Sequence, residues 1–103
     1  MAGAPEPVAI RQVFSMRTAK GQRQAFVDGF TPIVERVRQE PGCLQYSLYL
    51  SVDDPDELVV LERWRDLATL EAVLAQHYKG PDDPAVAFLK LLAGPPMRER
   101  YEL

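Results

Sequence analysis

The 103 residues contain one cysteine, Cys43, and one histidine, His77. A single cysteine cannot staple a monomer, so folding must rest on packing, and a reducing compartment suits the chain. One residue of each kind, without HxxE-type spacing, gives no reason to expect a protein-built metal site. No glycine-rich loop follows a strand pattern, which argues against a nucleotide cofactor. Ser15, Ser47 and Ser51 lack the elbow motif of a hydroxyl nucleophile. The 12 Lys and Arg residues form no stripe and are outnumbered by 15 Asp and Glu, a net charge of -3, so no nucleic-acid partner is expected. No apolar run reaches membrane-spanning length, and Met1 to Pro7 shows no basic segment followed by an apolar one. These absences leave a cytoplasmic protein without a membrane partner as the expectation.

The residues present are those of a folded chain, 47% hydrophobic, too apolar for a disordered one. One domain over residues 1–103 is expected, with 1–7 as an N-terminal tail. Val8 to Arg17 alternates, with Val8, Ile10, Phe14 and Met16 on one face, which argues for a strand. From Gly21 to Gln39 the period lengthens: Phe26, Phe30, Ile33 and Val37 line one face of a helix. Pro32 falls inside that pattern and predicts a kink, or a restart with Thr31 as cap. After Pro41 and Gly42, residues 43–51 alternate again with Leu44, Tyr46, Leu48 and Leu50 in phase. Asp53 to Asp56 form a turn, and residues 57–64 a third strand paired with the second as a hairpin. Asp66 caps a helix carrying Leu67, Leu70, Leu74 and His77, Pro84 opens another with Val86, Phe88, Leu89 and Leu92, and Met97 to Leu103 closes as a strand.

The order β-α-β-β-α-β, with its second helical region split, predicts an α+β, ferredoxin-like sheet with helices on one face. The strands carry apolar groups on the other face too: Val13, Tyr49 and Leu61 among them. An uncovered apolar face is a liability for a monomer, so a homodimer formed sheet to sheet is expected, with Tyr49 and Gln45 in the interface.

One succession is more specific. Pro41-Gly42-Cys43-Leu44, then Glu62-Arg63-Trp64, then Leu70-Glu71-Ala72, then His77-Tyr78 runs as turn, strand, strand ending in Trp, and helix ending in His-Tyr. It resembles the antibiotic biosynthesis monooxygenase family over roughly residues 8–78. The resemblance implies a dimeric ferredoxin-like protein acting on aromatic or quinone-like molecules without a bound cofactor. It also implies that Trp64 lines a cavity between sheet and helices, and that His77 and Tyr78 match the family's His-Phe pair. Many members carry a further histidine one helical turn earlier, where this chain has Val73. The chain has no asparagine at all. Polyketide-quinone monooxygenases often use a pocket Asn, and the related haem-degrading enzymes an Asn-Trp-His set. Only Trp64 and His77 carry over, which disfavours haem degradation.

Each candidate also has a plain structural reading. Trp64 could cap the core at the sheet rim or form a flat wall for an aromatic ring. His77 could suit the negative end of a helix dipole or move a proton. Tyr46 could be a core tyrosine or bring a phenol to a substrate oxygen, and Cys43 reads as a small hydrophobe at a strand start rather than a reactive thiol. With the resemblance, these residues suggest a cofactor-free monooxygenase in secondary metabolism that oxidises a polycyclic phenol, anthrone-like or quinol substrate with molecular oxygen. Trp64 and His77 would be catalytic, and Tyr46 and Tyr78 would bind substrate. An isomerase or cyclase moving a proton beside a carbonyl, and a non-catalytic binding module, remain open alternatives.

Overall fold

Alternation becomes strand where the sequence places it, as β1 (Ile10–Arg17), β2 (Cys43–Leu50), β3 (Glu57–Trp64) and β4 (Met97–Glu102). The computed structural model describes residues 8–103; the expected tail, 1–7, lies outside the described residues. The strands form one antiparallel sheet in the order β2-β3-β1-β4. Helix α1 (Arg23–Arg38) links β1 to β2, and α2 (Leu67–His77) with a 3-10 helix (Pro84–Leu91) links β3 to β4. This is the ferredoxin-like α+β fold, and the helical region after β3 is split as its sequence predicts.

Register decides what the helices cover. Ile10, Gln12 and Met16 of β1 share a face with Leu58, Val60, Glu62 and Trp64 of β3 and Tyr46 of β2, and all are buried. Phe26, Phe30, Ile33, Val34 and Val37 of α1 close over them with Leu70 and Val73 of α2 and Val86 and Phe88 of the 3-10 helix. Asp66 caps α2 by accepting a bond from the Thr69 amide at 2.7 Å. Gly42 lets the start of β2 approach that first turn: a Cβ built there would stand 2.1 Å from Thr69 Cγ2. On the other sheet face, Val13, Val59 and Leu61 are half-buried, while Tyr49, Met97 and Tyr101 are exposed.

Four local expectations need correction. Helix α1 runs unbroken through Pro32 instead of restarting. Pro32 and Asp28, whose carbonyl loses its partner, both lie on the exposed side, where solvent can reach that oxygen, and five buried side chains hold the helix through the gap. Leu44 is not in phase with Tyr46, because the register shifts between Cys43 and Gln45; Cys43 pairs with Trp64, and Leu44 is exposed. Leu67 and Leu50, expected inward, are exposed too. The segment after Pro84 is a 3-10 helix kinked at Val86, which buries Val86 and Phe88 and leaves Leu89 at the surface.

Candidate active site

A cavity of about 270 Å³ opens between the sheet and the helices. Its walls come from Phe14 and Met16 of β1, Tyr46 of β2 and Val60 of β3, with Phe26 and Phe30 of α1 opposite. Leu74, Tyr78, Phe88, Leu89 and Pro96 complete it. The aromatic walls brace one another. Phe88 stacks on Phe30 with centroids 5.1 Å apart, and Phe26 meets Phe88 edge-on at the same distance. Pro96 is exposed and Leu89 partly so, which puts solvent on that side of the cavity.

The lining offers two phenols and otherwise hydrocarbon and a thioether. The Tyr46 and Tyr78 hydroxyls lie 3.3 Å apart. Helix α2 ends at His77, and Tyr78 leaves helical geometry at φ -122°, ψ 84°, at the cavity wall. Burial pushes the Tyr46 phenol far above its ordinary value, with further contributions from Tyr78 and from the charge of Glu62. Burial likewise pushes Tyr78 up to about 12. Both are therefore protonated at neutral pH. They can donate to and accept from a ligand oxygen, but neither is a base.

The sequence reading expects Trp64 and His77 in this cavity, and neither forms part of its wall. Trp64 is fully buried one layer behind, its ring edge-on to Tyr46 with centroids 6.2 Å apart. Strand β3 must carry its large apolar residue inward to build the core, so the indole meets protein on all sides. His77 bonds through Nε2 to Glu40 Oε1 at 3.3 Å, tying the end of α2 to the turn before β2. Tyr46 and Tyr78 are the sequence candidates that the fold brings together. The thiol of Cys43 is raised by burial, and next by the charge of Glu62, away from the thiolate range.

Sequence reasoning passed over a polar row on the helix-facing side of the sheet. Tyr46, Glu62, Gln12 and Arg100 are register partners across all four strands. Glu62 is fully buried, and its Oε1 accepts bonds from Trp64 Nε1 at 2.8 Å and Gln12 Nε2 at 3.1 Å. Arg100 donates through Nε to Gln12 Oε1, and its Nη1 lies 3.6 Å from Glu71 of α2. Among the described residues Oε2 of Glu62 has no partner. Burial raises the Glu62 carboxyl to about 7, against the lowering effects of its two bonds and of Arg100. The signal was legible: Glu62 alternates in phase with Leu58, Val60 and Trp64. Among the described residues no group of three His, Cys, Asp or Glu side chains clusters to hold a metal. No described helix is long and apolar enough to cross a membrane.

Residues 9–80 match the family model for antibiotic biosynthesis monooxygenase. The chain belongs to the antibiotic biosynthesis monooxygenase family. An Escherichia coli protein named "Probable quinol monooxygenase YgiN" is 36% identical over an alignment of 72 residues, with 60% of this chain and 69% of that protein covered. An uncharacterized Synechocystis protein is 27% identical over 79 residues, 77% of this chain; the match spans about half (50%) of that relative's length. Solved structures agree on the fold. A conserved Methanosarcina mazei protein superposes with TM-score 0.80 at 24% identity, covering 93% of each chain. A crystal structure described as antibiotic biosynthesis monooxygenase gives 0.79 at 22%, covering 91% of this chain and 97% of that one. Both cavity phenols, Tyr46 and Tyr78, lie within the matched residues 9–80.

Proposed function

We propose that this family member is a cofactor-independent monooxygenase for a small fused-ring quinol or anthrone-like phenol, with the cavity as its active site. The observation that carries the reading is the cavity itself, an aromatic-walled space whose lining side chains end in one hydroxyl pair. At interior packing density, 270 Å³ holds on the order of 200 Å³ of ligand atoms, roughly two or three fused six-membered rings. The Escherichia coli relative, named a probable quinol monooxygenase, supports the same substrate class.

Closed-shell organics react poorly with oxygen, but an ionised quinol or anthrone can give it an electron directly. A quinol with a free ring C–H would lose four electrons in all. One oxygen atom enters the ring to leave a hydroxyquinone, and the other leaves as water with two protons. The protein's part is to hold the flat ring, favour its ionised form and exclude bulk water. Tyr46 and Tyr78 orient the ring oxygen. Trp64 and His77 act from behind the wall: the indole backs the Tyr46 ring, and the His77–Glu40 bond fixes the segment bearing Tyr78. The open sheet face carrying Val13, Tyr49 and Leu61 pairs with a second copy.

The test is product formation from a panel of naphthoquinols and anthrone, with and without oxygen. Faster oxygenated product with protein in air, and none under strict anaerobiosis, is expected. Turnover that persists without oxygen would replace this reading with an isomerase or cyclase. Stoichiometric binding without product would leave a binding module.

A further inference from the structure

Glu62 is a fully buried carboxyl on β3, an inner strand of the sheet, directly across the ladder from Tyr46. Both hydrogen bonds it accepts fall on Oε1, from β3 and β1. Neither comes from β2, the strand of Tyr46, and Oε2 is buried and bare. A buried carboxylate ordinarily has its lone pairs filled, so an empty oxygen marks a place where a proton can settle. Among the described residues no cation pairs with Glu62. Arg100, the positive member of the row, bonds to Gln12 and pairs with Glu71 instead.

The groups around this carboxyl come from every neighbouring element. Strand β2 supplies Tyr46 and Cys43, β1 Gln12, β3 Trp64 and β4 Arg100; Tyr78 follows α2, and Arg38 of α1 donates to the Tyr46 carbonyl at 2.8 Å. The charge of Glu62 is felt at both cavity hydroxyls, where it opposes a second negative charge. A ligand oxygen bonded to those hydroxyls would stand in the same field. Two uncompensated anions in a dry interior repel strongly, and only one stays ionised.

We propose that Glu62 sets the ionisation state of a bound phenol: the interior holds one negative charge, on Glu62 or on the ligand oxygen, and ligand ionisation is matched by protonation of Glu62 at Oε2. In this exchange the ligand O–H bond breaks and its proton passes to solvent, a proton from solvent forms an O–H bond at Oε2, and net charge is unchanged. The carboxyl's elevation to about 7 leaves it able to take that proton at neutral pH. The role rests on the cavity reading above and adds what that reading lacks, since its two phenols cannot serve as the base. Glu62 is a positioning residue for charge and need not touch the ligand.

The probe is a nitro-substituted 1-naphthol that is already ionised, and coloured, in solution at pH 8. On binding wild-type protein it should keep its visible phenolate band while about one proton per ligand is taken up from the buffer. A carboxylic-acid carbonyl band should appear in the infrared difference spectrum. Affinity should fall about tenfold per pH unit above 7. In Glu62→Gln the proton uptake, the new band and the pH slope should all vanish. Loss of the phenolate colour on binding, binding without proton uptake, or an unchanged slope in Glu62→Gln would each overturn the proposal while leaving the cavity reading intact. Should Glu62→Gln fail to fold, the wild-type proton count, colour and infrared band decide. A naphtholate that does not bind at any pH overturns both.

Discussion

The Tyr46 and Tyr78 hydroxyls lie 3.3 Å apart, joining mid-strand β2 to the residue that ends α2. If this pair holds a ligand oxygen, removing one hydroxyl should matter only to ligands that carry one. Tyr78→Phe should weaken 1-naphthol binding about tenfold, the worth of one net hydrogen bond. Naphthalene binding should be unchanged or improved. Calorimetric titration of the two ligands checks this, and equal losses for both would assign the pair to packing alone.

Glu62 makes stability depend on pH in a defined window. Its folded-state value of about 7 lies above the ordinary 4.5. Between those values the folded state binds more protons than the unfolded one, so stability falls as pH rises and levels off above 7. The span amounts to about 3 kcal/mol. Urea unfolding from pH 4 to 8 should show the decline in the wild type and a flattened profile in Glu62→Gln.

Gly29 faces Phe88 across the α1 contact with the 3-10 helix, where an added Cβ would stand 2.6 Å from Phe88 Cβ. Helix propensity favours alanine by about 1 kcal/mol, but a clash against the Cβ of a buried phenylalanine costs more. Gly29→Ala should destabilise by about 1–2 kcal/mol net and weaken naphthol binding, because Phe88 lines the cavity. Unfolding midpoints and titrations measure both effects.

His77→Gln separates two roles. If the Glu40 contact only fixes Tyr78, KM should rise several-fold with kcat and its pH profile intact. A loss in kcat of about 100-fold or more, with one titration step gone, would instead make His77 the proton carrier.

Tyr49 stands half-exposed on the open sheet face, beside Val59 in register. The wild type should run as a dimer by light scattering and Tyr49→Asp as monomer or aggregate, since a charge buried in an apolar interface is costly. A monomeric wild type at micromolar concentration would remove the dimer from the account.

The fold was legible because alternation and helical periodicity are local. Val60, Glu62 and Trp64 had to share a face, and Phe26, Phe30 and Ile33 had to share another. What eluded the sequence was either register or depth. The bulge that turns Leu44 outward carries no mark in residues 43–51, and the packing that carries α1 past Pro32 is tertiary. Tyr46 and Tyr78 were legible as candidates because each lay on or beside an inward stripe. Trp64 was read as a wall of the cavity, yet inwardness along β3 does not distinguish a cavity surface from the layer behind it. Trp64→Ala should therefore cost about 3–5 kcal/mol as a core deletion before it says anything about ligands. Leu89, Pro96 and Phe88 reach the cavity from a segment that enters only through the long connection to β4, so nothing near Tyr46 announces them.

Filling the cavity should abolish the chemistry if the cavity is where it happens. Leu89 lines it from the partly exposed side, where a larger side chain can be accommodated without rebuilding the core. Oxygen uptake should be followed with a naphthoquinol for wild type and Leu89→Trp, each shown to be folded by circular dichroism. The folded, filled variant should lose uptake above the uncatalysed rate. Undiminished uptake by that variant would contradict the cavity reading and place the chemistry elsewhere on the molecule.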